Sequence, residues 1–337
     1  MVPFVRGGAE ELAIHLVQHL EMQGHEVELL RIPFKYDPPD HIYNEMLACR
    51  LMQVEEADLV IAMKFPAYLI PHPKKVLWLV HQYRQAYDMW ESGSSNIPAT
   101  SEGDELRRSI AEADSDCFSG VRRLCAISPV IQKRLKKFNG FESELIRTPI
   151  NSPEAFIEGE YGNYVFCGGR INQTKRQHLL VEAMRHTSSN CKLLIAGPAD
   201  SKDDSDRITK LIHKYGLSHR VHTDIGFHSR EKIAGMMSNS LACAYLPIDE
   251  DSLGYVSMEA NQAAKAVLTA NDSGGLLDLV FHNETGWVCN PNPAELGACL
   301  DRIFKNRKAT IAMGRNAKNH WLAMGINWAK TVERLVA

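Results

Sequence analysis

Two consecutive segments, Leu241-Ala-Cys-Ala-Tyr-Leu246 and Asp251-Ser-Leu-Gly254-Tyr-Val-Ser-Met-Glu259, decide the fold prediction. The first is an apolar run typical of a buried strand, and the second leads into a helix that continues to Ala264. A glycine at the turn lets backbone N–H groups approach a ligand closely, and the positive end of the helix favours an anion. Glu259, one turn into the helix, is placed to accept hydrogen bonds from a sugar diol. Many strand–glycine–helix turns bind nothing, so the segment needs support from elsewhere.

A second segment supplies that support. Tyr164-Val-Phe-Cys-Gly168-Gly169-Arg170 reads as a short strand that ends in two glycines, and a helix with apolar residues at helical spacing follows Arg176. Arg170 and Lys175 flank this loop at the carboxyl end of the strand, where open α/β sheets bind ligands. Arginine offers a planar fork for phosphate oxygens and lysine a point charge. The alternative is that both cations form surface salt bridges.

Strands and helices alternate along the chain, which predicts doubly wound parallel sheets. Helices are predicted over residues 9–22, after the capping pair Ser128-Pro129, and over 326–336. The polar stretch from Asn151 to Gly162 is predicted to be an interdomain linker. The predicted strands are Val27–Leu30, Asp58–Met63, Val76–Val80, Leu124–Ile127, Tyr164–Gly168, Lys192–Ala196, Val221–Ile225, Leu241–Leu246, Ala266–Thr269 and Gly286–Cys289.

Together, Gly169-Arg170…Lys175-Arg176 and Asp251…Gly254-Tyr-Val…Glu259-Ala260 resemble the retaining family 4 glycosyltransferases (glycosyl transferases group 1) of the GT-B fold. Gly7-Gly8-Ala9-Glu10 resembles the glycine-rich loop of that family, and the order of elements agrees from about residue 1 to 336. The resemblance implies two doubly wound Rossmann-like domains that face each other across a cleft. The implied boundaries are 1–155 for an acceptor-side domain, 156–322 for the donor-binding domain, and 323–337 for a helix that returns to the first domain.

The resemblance also implies roles for individual residues. Arg170 and Lys175 would stabilise the departing diphosphate, Glu259 would bind the ribose hydroxyls, and Asp251 would contact the transferred sugar. The family usually has Glu at the position of Asp251, and Glu250 could substitute for it if the loop is repacked. His81, at the end of a strand, resembles a family histidine near the transferred sugar, with a purely structural histidine as the alternative. The further donor-binding residues would be Gly7, Gly8, Gly169, Phe227, Ser252, Leu253, Gly254, Tyr255 and Val256.

The resulting functional prediction is a retaining hexosyltransferase. It would move a sugar from a UDP- or GDP-sugar to a glycan or lipid-linked acceptor in the synthesis of cell-envelope polysaccharides or glycoconjugates. No cofactor and no metal are expected, because the cations and helix end supply positive charge to the leaving phosphate. The alternative is a catalytically degenerate protein that binds nucleotide sugars. The family opens with a strand before its glycine loop, and here Val2–Val5 are left to serve as that strand. Either the start is truncated, or the first sheet lacks part of a central strand.

Composition limits the other possibilities. The 337 residues suffice for two domains, and a net charge of −3 predicts no nucleic-acid surface. No apolar run is long enough to span a membrane, but the basic segment Lys133–Phe138 could contact anionic lipid, with a solvated helix face as the alternative. The eight cysteines form no Cys-x-x-Cys pair and no signal peptide precedes them, so reduced thiols are expected. The predicted location is the cytoplasm, at the inner face of the membrane if the basic segment binds lipid.

Overall fold

A computed structural model describes residues 7–337, so the predicted strand Val2–Val5 lies outside the described residues. Among the described residues, those up to Pro149 together with Asn327–Ala337 form one compact unit (unit 1), and Ile150–Ile326 form another (unit 2). The predicted boundary fell at residue 155, whereas the chain changes unit after Pro149.

Unit 1 contains a parallel sheet in the strand order β1-β2-β3-β4. The side chains of β2 from Lys75 to Val80 are all buried, which explains the nearly continuous apolar run of the sequence. The strands are β1 (Val60–Lys64), β2 (Lys75–His81), β3 (Arg123–Ala126) and β4 (Glu144–Leu145). The helices are α1 (Gly8–Met22), α2 (His41–Leu51), α3 (Asp88–Glu91), α4 (Ser101–Gly120) and α5 (Pro129–Asn139).

The predicted strand Val27–Leu30 is wrong. These residues have no regular structure, and Leu29 and Leu30 are 36% and 49% exposed. A strand requires a neighbour that completes its backbone hydrogen bonds. No strand of the described part of the chain pairs with residues 27–30.

Unit 2 contains a six-stranded parallel sheet in the order β10-β9-β8-β5-β6-β7. The strands are β5 (Val165–Gly168), β6 (Leu193–Gly197), β7 (Val221–Ile225), β8 (Ala242–Ala244), β9 (Val267–Ala270) and β10 (Gly286–Cys289). The chain runs from β5 outward to β7 and then returns to the other side of β5, so the strand order reverses between β5 and β8. Ligands of open α/β sheets bind beyond the carboxyl ends of the strands at such a reversal.

Helices cover the unit 2 sheet: α6 (Gln177–Ala183), α7 (Lys202–Lys214), α8 (Arg230–Ser238), α9 (Tyr255–Gln262), α10 (Pro293–Lys305) and α11 (Arg307–Ala323). The stretch from Asn151 to Gly162 is not a free linker. Phe156 is 1% exposed in a core cluster of unit 2, and the Gly162 N–H donates to Asn239 O at 2.9 Å. The buried Phe156 ring and this backbone hydrogen bond hold the otherwise polar stretch to unit 2.

The last helix, α12 (Trp328–Val336), packs on α1. The ring of Trp328, 5% exposed, stacks on His19 with the ring centroids 4.9 Å apart. Two neighbours of Trp328 on α12, Val332 and Leu335, are fully buried in the same core. The apolar face of α12 therefore belongs to the core of unit 1.

One expectation about side chains needs correction, and another stays a prediction. Cys289 and Cys299 are paired as a disulfide, against the expectation of reduced thiols at these two positions. In the basic segment of α5, Lys136 pairs with Glu142 and Lys137 with Glu91. These carboxylates reduce the positive charge that α5 could offer to a lipid surface, and contact with a membrane stays a prediction.

Candidate functional site

The turn that begins α9 is shaped by a glycine. Gly254 has φ of +71°, and a Cβ at this position would lie 2.7 Å from Cε1 of Tyr245. No side chain caps the helix at Gly254. In the first turn, the buried Ser257 Oγ has no hydrogen-bond partner among the residues that the structure describes. An uncapped helix start with an unsatisfied hydroxyl is suited to an anionic ligand.

The loop after β5 adjoins this turn. Gly169 has φ of +102°, and a Cβ there would lie 3.4 Å from Cγ2 of Val256 in the first turn of α9. The two predicted segments therefore meet at the carboxyl ends of β5 and β8. This is the position at which the strand order of the sheet reverses.

Lys175 points towards the loop that follows β8. Its Nζ contacts Oε2 of Glu250 and lies 5.2 Å from the ring centroid of Tyr245. The Tyr245 hydroxyl donates to the same Glu250 oxygen at 2.8 Å. Burial, with the negative charge of Glu250 added, holds the pKa of Tyr245 well above its ordinary value. The lysine is thus oriented by a carboxylate and an aromatic ring before any ligand binds.

Arg176 has no separate role in the sequence prediction, but its contacts hold the loop that carries Lys175. It is 7% exposed and has φ of +55°. Its Nε donates to Leu246 O at 2.7 Å, and its guanidinium binds both carboxylate oxygens of Asp272 at 2.6 and 2.8 Å. These contacts, two of them to one carboxylate, tie the lysine loop to the segments that follow β8 and β9. The sequence could not show this, because the partners lie 70 and 96 residues away.

Arg170 lies nearer the surface. Its Nη1 is 3.3 Å from Oδ1 of Asp200, and its side chain is 42% exposed. The charge of Arg170 also acts on Tyr245, where it opposes the rise in the pKa of the hydroxyl. Lys175 thus lies against the Tyr245 ring, whereas Arg170 acts on the Tyr245 hydroxyl only through its charge. Each of the two predicted phosphate ligands has a carboxylate partner in this structure.

Glu259 is buried at 6% exposure and pairs with an arginine that the sequence did not single out. Its Oε1 lies 3.0 Å from Nη1 of Arg230 at the start of α8. Burial raises the pKa of Glu259 to about 7, although Arg230 acts in the opposite direction. No motif marks Arg230, since it lies 29 positions before Glu259 on another helix.

The remaining predicted donor-binding residues of unit 2 differ in their surroundings. Phe227, after β7, is 77% exposed, and Ser252 Oγ accepts from the Gly254 N–H at 3.2 Å. Asp251 is half-buried beside Ser252 in the same loop. Leu253, in contrast, is 2% exposed in a core cluster, so only its backbone remains for a ligand. The half-buried Tyr255 packs against that same cluster.

The other predicted site residues belong to unit 1. Gly7 and Gly8 lie at the start of α1, where the Gly7 N–H donates to Glu10 Oε2 at 3.1 Å. His81 ends β2, and its Nδ1 is 2.6 Å from Gln82 O. Their roles towards a ligand stay predictions.

A cavity of about 980 Å³ in unit 1 lies at the amino ends of β1 and β2. On its rim, Arg50 Nη2 lies 3.2 Å from Asp116 Oδ2, and His72 Nε2 is 2.9 Å from Ala57 O. Ligands of open α/β sheets bind at the opposite ends of the strands. The candidate site is therefore the turn in unit 2 rather than this cavity.

Two features are absent from residues 7–337. No group of three or more His, Cys, Asp or Glu side chains in that range could hold a metal ion. No helix in the same range has the length and apolar character needed to cross a bilayer.

Comparison with known proteins places this geometry in a family. The family described as Glycosyl transferases group 1 matches residues 151–320. The chain is 24% identical over 164 residues to human alpha-1,3/1,6-mannosyltransferase ALG2, and this alignment covers 44% of the chain and 39% of ALG2. It is 26% identical over 180 residues to a Mycobacterium tuberculosis GDP-mannose-dependent alpha-(1-6)-phosphatidylinositol monomannoside mannosyltransferase, covering 51% of the chain and 46% of that protein.

Among solved structures, the Anabaena protein Alr3699/HepE in complex with UDP and glucose superimposes with a TM-score of 0.72. The alignment covers 98% of this chain and 95% of that chain at 17% identity, which shows the fold. The protein thus has the GT-B fold, as predicted. The chain belongs to the glycosyl transferases group 1 family, whose match covers half of its residues. It spans less than half the length of the two mannosyltransferases that it matches.

Proposed function

We propose that the protein is a retaining hexosyltransferase that transfers a sugar from a nucleoside diphosphate sugar to a glycan or lipid-linked acceptor. The observation that carries the proposal is that Lys175 and the uncapped start of α9 both lie against Tyr245, while Arg170, in the same loop as Lys175, adds a second cation. Two cations and a helix N-terminus in one place suit a diphosphate. The mannosyltransferases among the relatives support a hexose as the transferred group.

In the proposed reaction, the bond between the anomeric carbon and the diphosphate oxygen breaks. Negative charge grows on the leaving phosphate as the sugar becomes oxocarbenium-like, so fixed positive groups at the phosphate stabilise the transition state. Lys175 would exchange its contact with Glu250 for a phosphate oxygen, and Arg170 would do the same with Asp200. Glu250 and Tyr245 keep the lysine in place until then.

Retention follows if the acceptor hydroxyl attacks the face from which the diphosphate departs. The new glycosidic bond forms to the acceptor oxygen, and the hydroxyl proton passes to the departing phosphate oxygen. Such a step needs no nucleophile from the protein and no metal for charge balance. Glu259 would bind the ribose diol, and Asp251 or Glu250 would contact the transferred sugar.

The substitution Lys175→Ala tests the phosphate contact. We expect kcat to fall by about 10²–10³-fold, because one preorganised charge at the leaving group is lost. Lys210→Ala, an exposed lysine on α7, is the matched control and should leave kcat unchanged. Initial rates with a panel of GDP-mannose, UDP-glucose and ADP-glucose, with melting temperatures recorded alongside, make the measurement.

Equal rates in the Lys175 and Lys210 variants would remove the proposed phosphate contact. Binding of UDP or GDP by the unmodified protein, without turnover of any donor, would instead favour a degenerate member that only binds nucleotide sugars. The Asp at position 251, where the family usually has Glu, is the residue that such a result would implicate. We further propose that the protein works in the cytoplasm in glycan or glycolipid synthesis at the membrane surface.

A further inference from the structure

Arg230 is held in place from three sides. Its Nη1 lies 3.0 Å from Glu259 Oε1, its Nη2 donates to the backbone oxygen of Asn151, and its guanidinium carbon lies 4.7 Å from the ring centroid of Phe156. Asn151 and Phe156 are themselves 4% and 1% exposed. The first residues of unit 2 therefore form a rigid support for this one guanidinium.

Glu259 depends on that guanidinium for its charge. At 6% exposure the carboxylate loses most of its hydration, which favours the neutral acid. The groups that act on it electrostatically in the described chain are Arg230 from α8 and the buried thiol of Cys243 from β8. Arg230 is the one cation of this set, so it alone opposes the effect of burial.

A carboxylate can accept about four hydrogen bonds, so contact with one guanidinium leaves capacity for two hydroxyl groups. A neutral carboxylic acid would accept fewer hydrogen bonds and would present its own O–H donor to the hydroxyl groups. The direction and the charge of Glu259 both therefore matter for binding a diol.

We propose that Arg230 is a positioning residue for the nucleotide: it orients Glu259 and keeps it ionised, so that Glu259 accepts hydrogen bonds from both hydroxyls of the ribose. This inference rests on the proposed function, because the ribose is that of the donor nucleotide. Arg230 acts through Glu259 and takes no part in the chemical step. Asn151 and Phe156 serve the same end by fixing Arg230.

The test compares Arg230→Ala and Arg230→Lys, with Lys232→Ala on the same helix as the control. Affinities for GDP and UDP, and for their 2′-deoxy forms, are measured by calorimetry between pH 6 and 9, with melting temperatures recorded. Carbon-13 labelling of the glutamate side-chain carboxyls follows the titration of Glu259 without any nucleotide, and Glu259→Gln assigns its signal.

In the unmodified protein, affinity should rise with pH through about 7, where Glu259 ionises. Arg230→Ala should move this rise to higher pH. At a pH below the pKa, each unit added to the pKa lowers the ionised fraction of Glu259 about tenfold. The affinity that Arg230→Ala loses at pH 7 should largely return at pH 9. Arg230→Lys should retain part of that affinity at pH 7. The preference for ribose over 2′-deoxyribose should fall in Arg230→Ala at pH 7.

Other outcomes contradict the proposal in distinguishable ways. A loss of affinity that is equal at every pH, or an unchanged carboxyl titration in Arg230→Ala, means that Arg230 does not set the charge of Glu259. If the unmodified protein binds neither GDP nor UDP at any pH, the proposed function itself fails, whatever the carboxyl titration shows.

Discussion

Individual residues of the candidate site are tightly constrained, and Gly254 shows this most directly. Its backbone has φ of +71°, and a methyl group there would lie 2.7 Å from the Tyr245 ring and 3.0 Å from Leu276. Tyr245 is the ring that Lys175, one of the two proposed phosphate-binding cations, contacts. A change at Gly254 should therefore affect stability and nucleotide affinity together.

We expect Gly254→Ala to destabilise the protein by more than the backbone strain of about 1–3 kcal/mol that a sparsely populated conformation such as φ of +71° and ψ of 121° costs a residue with a side chain. Gly216→Ala is a matched control, because Gly216 has φ of +62° and open space around it. Urea denaturation measures the stability of both variants, and calorimetry measures binding of GDP or UDP. Equal losses of stability, with normal affinity in both, would show that Tyr245 can move away without consequence for the site.

The residues that cap a helix determine where it begins and ends, and α5 shows this most clearly. Ser128, fully buried, accepts a hydrogen bond from the Ile131 N–H at 3.2 Å, and Pro129 occupies the first helical position. Gly140 closes the other end with φ of +76°. The sequence analysis predicted the cap and the proline, and the left-handed glycine at the carboxyl end is the usual way for a helix to stop.

Replacing the cap should have a predictable cost. Ser128→Ala leaves a helix-terminal N–H unsatisfied, and we expect a loss of about 1 kcal/mol in the free energy of unfolding. Ser119→Ala, at an exposed position late in α4, should change stability by no more than about 0.5 kcal/mol. Denaturant titration measures the free energy of unfolding of both variants. A cost at Ser128 no larger than that at Ser119 would mean that water replaces the cap.

The stability of the whole molecule should depend on pH through buried carboxyl groups. Asp114, with no exposed surface, accepts hydrogen bonds from the hydroxyls of Tyr68 and Tyr87, both at 2.7 Å. Burial raises the pKa of Asp114 to about 7, against the effect of the two hydroxyls and of Arg50. The folded protein therefore holds a proton that the unfolded chain releases at about pH 4.

The sign of the effect follows from this difference. The contribution of Asp114 to stability is fully present below about pH 4, falls as pH rises through about 7, and is constant above that. Asp114→Asn removes the titration. The free energy of unfolding of this variant, relative to that of the unmodified protein, should therefore rise as the pH is raised from 5 to 8. Asp116→Asn, two residues along the same helix, has an exposed carboxylate and is the control. Denaturant midpoints at several pH values test this, and a constant difference for Asp114→Asn would contradict it.

The sequence by itself determined the alternation of strands and helices, the glycine turns, the helix caps and the family. These features depend on neighbours within a few positions, so a single chain displays them. Val27–Leu30 has the composition of a strand but lacks a described partner, and Asn151–Gly162 reads as a linker but is held by Phe156. In both cases the outcome depends on residues distant in the chain.

Only the tertiary structure decided the partners of the candidate site. It placed Glu250 against Lys175, Asp200 against Arg170, and Arg230 against Glu259. The separations of 75, 30 and 29 residues in the chain carry no signal in one sequence. The charge of a buried carboxylate depends on the cation that the fold brings beside it, so composition and spacing show which groups could bind a ligand, and packing decides their charge and direction.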